Sequence, residues 1–325
     1  MSLDIKAISK PIEAELDQFK KEFRQAMKSR VALVDLISKY LLNQKGKKIR
    51  PILVLLSAKL CGEINKRTYI GATLVEMLHT ATLIHDDVVD DAKTRRGFPS
   101  INAVWKNKIS VLMGDYLLSR GLLHALENKE YNFLQITSRA VKRMSEGELL
   151  QIQKNRKLGV NEETYFKIIS DKTASLITAC CEMGSASSTN DPNVIKLMGE
   201  FGENVGIAFQ LRDDVLDYVG KKKIMGKSSG SDLKEKKFTL PLIHALNNSS
   251  KKESKQIIDL VKNGSYGKNK NIVMDFIHEY NGIDYTAGKT SEYCNAAISK
   301  ISDFKPSETK DTLLNFVHFI GERVN

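Results

Sequence analysis

At 325 residues, with 42% hydrophobic content, six prolines, twenty glycines and no low-complexity tract, the chain can bury a large core and shows no linker. Its 50 basic residues outnumber 39 acidic ones, a formal charge of +11 that suits nucleic acid, an anionic membrane surface or a phosphorylated substrate. No basic run is interleaved with aromatics as a strand-binding groove requires, which makes nucleic acid the weakest of the three, and no apolar run nears the ~20 residues of a membrane span.

The first sixteen residues are amphipathic and mixed in charge, unlike a signal peptide. Pro11 suits a helix start, and Ile12, Leu16, Phe19, Phe23 and Met27 follow at three- and four-residue steps. A second apolar segment, VALVDLISKYLL, leads to Gly46 and the turn GKKIRP. Lys47, Lys48 and Arg50 at a helix start make an anion site, because free N–H groups add to the side chains, although a solubilising turn is the simpler account of that run alone. Helices are then expected over 52–60, 68–91, 101–126, 130–155, 162–185, 193–219, 239–247, 252–263, 270–280 and 286–301, with a last near 308–322. No alternating strand with hairpin signals is found, so the class is all-α, one domain over 1–325. Cys61, Cys180, Cys181 and Cys294 have no CxxC spacing and read as reduced, mostly buried thiols of a soluble cytoplasmic protein.

Two acidic clusters stand out on this helical background. Asp86, Asp87 and Asp90 follow the apolar run MLHTATLI, with Asp86 and Asp90 one turn apart on one helix face. A solvated helix end explains one such cluster. Asp213, Asp214 and Asp217 repeat the spacing 127 residues later, again after an apolar run. Two such helices can face each other across a cavity and hold metals between them. Magnesium fits best, with hard oxygen ligands, retained waters and a substrate phosphate. Arg95, Arg96 and Lys227 nearby suit a polyphosphate. His79 lies two turns before Asp86 and is more simply a satisfied core histidine; His85 reads as structural.

With GKKIRP, LIHDDVVDDAKTRRGFPS, GDYLLSR, EGELLQ, KTASL, FQLRDDVLDY and GKSSGSDLKEKKFTLPL in this order, the chain resembles the trans-prenyltransferases, and more closely the bacterial long-chain polyprenyl diphosphate synthases of the octaprenyl type. The resemblance spans about residues 40 to 245. It implies a single-domain bundle of long helices around a deep central cavity, the isoprenoid synthase type, usually a homodimer. The implied reaction elongates an allylic diphosphate with isopentenyl diphosphate, using about three magnesium ions.

Carried over by position, Asp86, Asp87 and Asp90 look like the first aspartate-rich motif. Asp213, Asp214 and Asp217 look like the second, with Asp213 the foremost metal ligand there. Arg95, Lys172, Thr173, Gln210, Lys227 and Lys237 match the allylic diphosphate site, Lys172 and Lys227 being assigned to catalysis with the aspartates. Lys47, Arg50, His79 and Arg96 match the isopentenyl diphosphate site. Glu148 and Gln151 occupy the GExxQ positions. Two departures are Lys236, where a glycine is common, and Ser228, where proline is frequent.

Product length is expected to be set on the helix before the first motif. Thr82 and Ala81 stand four and five residues before Asp86, with Leu78, Met77 and Leu74 deeper. Short-chain relatives commonly carry an aromatic at the first two positions. Both are small here, which favours a long product, hexaprenyl to nonaprenyl; close helix packing at Ala81 is the weaker alternative. The rivals are a geranylgeranyl or farnesyl diphosphate synthase, a class I terpene cyclase, a non-catalytic subunit of the same fold and a metal-dependent phosphohydrolase. A transient membrane-surface contact at product release is a further expectation, and no nucleic-acid partner is expected.

Overall fold

The computed structural model describes residues 5–44, 46, 48–95, 97–157, 161–219, 233, 237–262 and 266–322. In chain order come α1 (Ile5–Ser9), a 3-10 turn (Lys10–Ile12), α2 (Glu13–Ala26), α3 (Ala32–Asn43), α4 (Ile49–Cys61) and α5 (Lys66–Val89). A hairpin of β1 (Thr94–Arg95) and β2 (Phe98–Pro99) precedes α6 (Ile101–Glu127) and α7 (Tyr131–Lys157). After α8 (Glu162–Ile169), a π turn (Ser170–Ala174) and α9 (Ser175–Ser188) comes α10 (Pro192–Val219). The last helices are α11 (Leu240–Asn248), α12 (Lys251–Lys262), α13 (Tyr266–Glu279), α14 (Gly282–Ile301) and α15 (Glu308–Gly321). The class is all-α, as expected.

Two differences from the sequence reading matter. The helix expected over 162–185 is interrupted by the π turn. The hairpin, with Thr94 opposite Pro99 and Arg95 opposite Phe98, was not expected at all. Its strands are two residues each, too short to show alternation, and Gly97 turns the chain at φ 81°.

The chain forms two compact units. The first comprises Met1–Arg139, Ala179–Gly199 and Phe304–Leu313. Its centre is α5, which starts at a capping box: Arg67 N donates to Asn65 Oδ1 at 2.9 Å and Asn65 N to Thr68 Oγ1 at 3.2 Å. Burial covers most of α5, from Ile70 through Ile84, and the helix packs on α2, α4 and α6. Beside it, α4 begins earlier than expected, at Ile49, so Pro51 sits in the first turn, where its missing N–H costs nothing.

The second unit comprises Ala140–Thr178, Glu200–Asp303 and Leu314–Asn325. Tyr165, Ile169, Leu211, Tyr218, Phe238 and Leu242 belong to its core, and α11 packs on α8, α13 and α14. The four cysteines are free thiols, three of them buried, and burial pushes Cys61 and Cys181 up to about 12, so neither is a thiolate at neutral pH. Among the described residues, no helix is long and apolar enough to cross a membrane.

Candidate active site

The first aspartate cluster ends α5. Asp86 and Asp90 are exposed, whereas Asp87 is buried and receives Arg95 Nε on Oδ1 at 2.8 Å. The hairpin thus brings Arg95 back onto the helix that precedes it. Asn102 Nδ2 donates to the Asp87 carbonyl at 3.1 Å, tying the start of α6 to the same place. His85 turns the other way: its Nε2 lies 3.2 Å from the Val111 carbonyl and 3.4 Å from Asp115 Oδ1. It fits only because residue 114 has no side chain, since a Cβ on Gly114 would stand 2.2 Å from that nitrogen.

Phe23, Lys48, Glu76, His79, Thr80, Leu83, Asp87 and Arg95 line one pocket of this unit. Lys48 takes a left-handed φ of 47° at the start of α4, its ammonium 5.1 Å from the Phe23 ring and 3.9 Å from the buried Glu76. Arg50 Nη1 lies 2.8 Å from His79 Nε2. A guanidinium only donates, so Nε2 accepts and the ring carries its proton on Nδ1. His79, a core histidine by the simpler reading, therefore meets one of the cations assigned with it. The pocket holds about 50 Å³ of free space, so a diphosphate entering there would have to displace side chains that line it, drawing Arg95 off Asp87 to bind it. Arg95, matched to the allylic side, lines the same pocket as His79, matched to the isopentenyl side.

In the second unit, Gln151, Tyr165, Lys172, Thr173, Gln210, Asp214, Lys237 and Thr239 line a cavity of about 200 Å³. Four of the residues matched to the allylic site thus gather in one place. Thr173 Oγ1 donates to Gln210 Oε1 at 2.9 Å, and Gln210 Nε2 to Asp214 Oδ1 at 2.8 Å. Tyr165 Oη donates to the other Asp214 oxygen at 2.5 Å. Lys172 Nζ reaches Gln151 Oε1 at 2.8 Å and forms an ion pair with Glu148. Asp214 and Asp217 are buried, whereas Asp213 is partly exposed.

Lys47, Arg96 and Lys227 lie outside the described residues, as do Ser228 and Lys236. Of the length-setting candidates, Leu74, Met77, Leu78 and Ala81 are buried and Thr82 is partly so, its hydroxyl donating to the His79 carbonyl at 3.0 Å. A Cβ on Gly121 of α6 would lie 3.3 Å from both Leu74 and Met77, and His85 abuts Gly114. Ala81, four residues from Met77 and four from His85, therefore lies on the strip of α5 that meets α6. Tyr165, which lines the cavity of the second unit, escaped the sequence reading. The signal for Tyr165 was a tyrosine in the apolar run of α8, since a buried phenol needs a hydrogen-bond partner.

The oxygen-rich donors suit a hard cation, yet among the described residues no three Asp, Glu, His or Cys side chains already enclose a metal position. Asp86 and Asp90 are exposed and Asp213 partly so, whereas Asp87 and Asp214 are buried and accept side-chain hydrogen bonds.

A polyprenyl synthetase family model matches residues 31–278. The all-trans-nonaprenyl-diphosphate synthase (geranyl-diphosphate specific) of Rhodobacter capsulatus is 34% identical over 96% of this chain and 94% of its own length. A polyprenyl synthase from Caulobacter crescentus, solved with calcium and isoprenyl diphosphate, superposes with a TM-score of 0.90 at 30% identity, covering 98% of each chain. A geranylgeranyl pyrophosphate synthase from Bacteroides thetaiotaomicron is 34% identical, with a TM-score of 0.83, over 98% of this chain and 99% of that one.

Proposed function

The chain belongs to the polyprenyl synthetase family and is a prenyltransferase of the polyprenyl diphosphate synthase type, and from that premise we propose that it makes long all-trans products of six to nine isoprene units. The observation that carries the chemistry is the pair of aspartate clusters, each closing an apolar helix beside a cation-lined pocket; the length rests on what lies below the first of them. A nonaprenyl relative favours the long product and a geranylgeranyl relative the short one. The small residues at Ala81 and Thr82 support the former.

Magnesium, about three ions by family likeness, would be held by Asp86, Asp90 and Asp213, with Asp87, Asp214 and Asp217 behind them, and supplies Lewis acidity that turns a diphosphate into a leaving group. Lys47, Arg50, His79 and Arg96 hold isopentenyl diphosphate. Arg95, Lys172, Thr173, Gln210, Lys227 and Lys237 hold the allylic diphosphate. Ionisation of the allylic C–O bond leaves a cation, which the Thr173 and Gln210 dipoles stabilise and apolar walls shield from water. The isopentenyl alkene then attacks, and the proton lost goes to the released diphosphate. The protein works as a cytoplasmic homodimer, with a transient membrane-surface contact at product release.

The test is to incubate the protein with a short allylic diphosphate, isopentenyl diphosphate and magnesium, then chromatograph the dephosphorylated products. Chains of six to nine units are expected, and about three or four from Ala81→Phe, whose ring blocks the first layer below the motif. Products of three or four units from the unaltered protein would establish the short-chain alternative. A folded Ala81→Phe variant making full-length product would assign Ala81 to the α5–α6 packing alone.

A further inference from the structure

The π turn presents Lys172 and Thr173, and it is clamped from two helices. On α7, Arg143, Gly147 and Gln151 stand at four-residue steps on one face. Gln151 receives the Lys172 ammonium, while a Cβ on Gly147 would stand 2.9 Å from the Lys172 backbone nitrogen and 2.9 Å from Asp171 Cβ. On α10, Glu203 and Gln210 lie two turns apart, and Gln210 accepts from Thr173. Arg143 joins the two sides. Its Nε donates to Asp171 Oδ1 at 2.8 Å, Nη1 to Glu203 Oε2 at 3.0 Å, and Nη2 to Glu203 Oε1 at 2.8 Å and Ser170 Oγ at 2.7 Å. Thr178, one turn beyond the π segment, donates to Glu203 Oε2 at 2.7 Å.

A π turn is unfavourable in isolation and occurs mostly where function needs it. Nothing local in Ser170–Ala174, which has no glycine or proline, demands one. The fork of five N–H donors on one side chain spans both carboxylates, which a lysine ammonium cannot do in the same geometry.

We propose that Arg143 is a positioning residue, which bridges Asp171 and Glu203 to fix the π turn and so aims Lys172 and Thr173 at the allylic diphosphate. The inference rests on the reading of Lys172 as an allylic-diphosphate ligand.

Steady-state kinetics on the full chain test both, using Arg143→Met, Arg143→Lys, Lys172→Ala and the double variant Arg143→Met/Lys172→Ala. Arg143→Met should raise the KM for the allylic substrate roughly tenfold, the scale of one misplaced charge-assisted hydrogen bond, and leave the KM for isopentenyl diphosphate within about twofold. Arg143→Lys, which keeps the charge without the fork, should remain defective. The double variant should be clearly less impaired than the product of the two single effects, because Arg143 acts in part through Lys172. Should Arg143→Met fold poorly, the triple variant Arg143→Met/Asp171→Asn/Glu203→Gln removes the stranded carboxylates, and its allylic KM should stay raised. Additive effects, equal rises in both KM values, or full rescue by lysine would overturn the positioning role. A silent Lys172→Ala would instead overturn the assignment of Lys172, and the positioning role with it.

Discussion

Lys106 adopts φ 69° and ψ 164° inside α6, a region open essentially to glycine alone. Holding an L side chain there costs about 1–3 kcal/mol, and glycine's extra chain entropy gives back about 0.5–1. Lys106→Gly should therefore stabilise the protein by about 1 kcal/mol, a rise of roughly 2 °C in melting temperature for a chain of this size. A lower melting temperature would show that the lysine side chain contributes more than its backbone costs. At this scale the sequence was legible wherever a residue's chemistry is unusual in a helix. The six aspartates stand out by spacing, whereas Lys172 and Gln210 can be named only through the family resemblance. What could not be read was how alike residues diverge: Asp86 is open to solvent, while Asp87 beside it is buried under Arg95. That division depends on a hairpin with strands of two residues each, which no periodicity reveals.

Among the elements, the interrupted helix between Glu162 and Ser188 is the most informative. Gly147→Ala should push α7 off the π turn, because its new Cβ would meet backbone and a Cβ rather than a yielding side-chain tip. We expect a loss of about 1–3 kcal/mol, read as a lower urea midpoint, together with a raised allylic KM. An alanine variant with unchanged midpoint would mean that α7 and the turn separate freely. The apolar period on either side of the break is that of an ordinary helix, which is why one continuous helix was expected. The cause of the break lies with Arg143 and Gly147, more than twenty residues earlier in the chain, and with Glu203, about thirty residues later. Tertiary contacts, not local preference, set the geometry.

For the molecule as a whole, burial and charge combine into one pH dependence. Burial pushes the imidazoles of His124 and His244 down, so the unfolded chain takes up protons near pH 6.5 that the folded chain refuses. Unfolding then binds protons, and stability is lost as pH falls below about 6.5. Burial also pushes Asp171 and Glu203 up, but hydrogen bonds from Arg143, with Lys167 on Asp171 and Ser170 and Thr178 on Glu203, outweigh it and leave both carboxyls below their ordinary values. Their contribution is complete above about pH 4.5 and disappears as pH falls through the folded values. The urea midpoint should thus fall in two stages on acidification, and Arg143→Met should weaken the lower one. A midpoint that rose between about pH 7 and 5 would contradict the histidine part. The all-α class was legible along the whole chain from its helical period, and the family over about residues 40 to 245 from motifs in a fixed order.

A π turn closes its ring one residue later than an α turn, so the segment Ser170–Ala174 carries in effect one surplus residue. Deleting it would let Glu162–Ser188 close into an ordinary helix whose later side chains keep their directions, because the wide turn already absorbs the roughly 100° that one more residue would add. Loop lengths can drift between lineages with little penalty. This stretch cannot lose a residue without losing the wide turn that presents Lys172 and Thr173. Its count should be inherited as strictly as any charged group, and natural insertions and deletions should fall elsewhere in the chain.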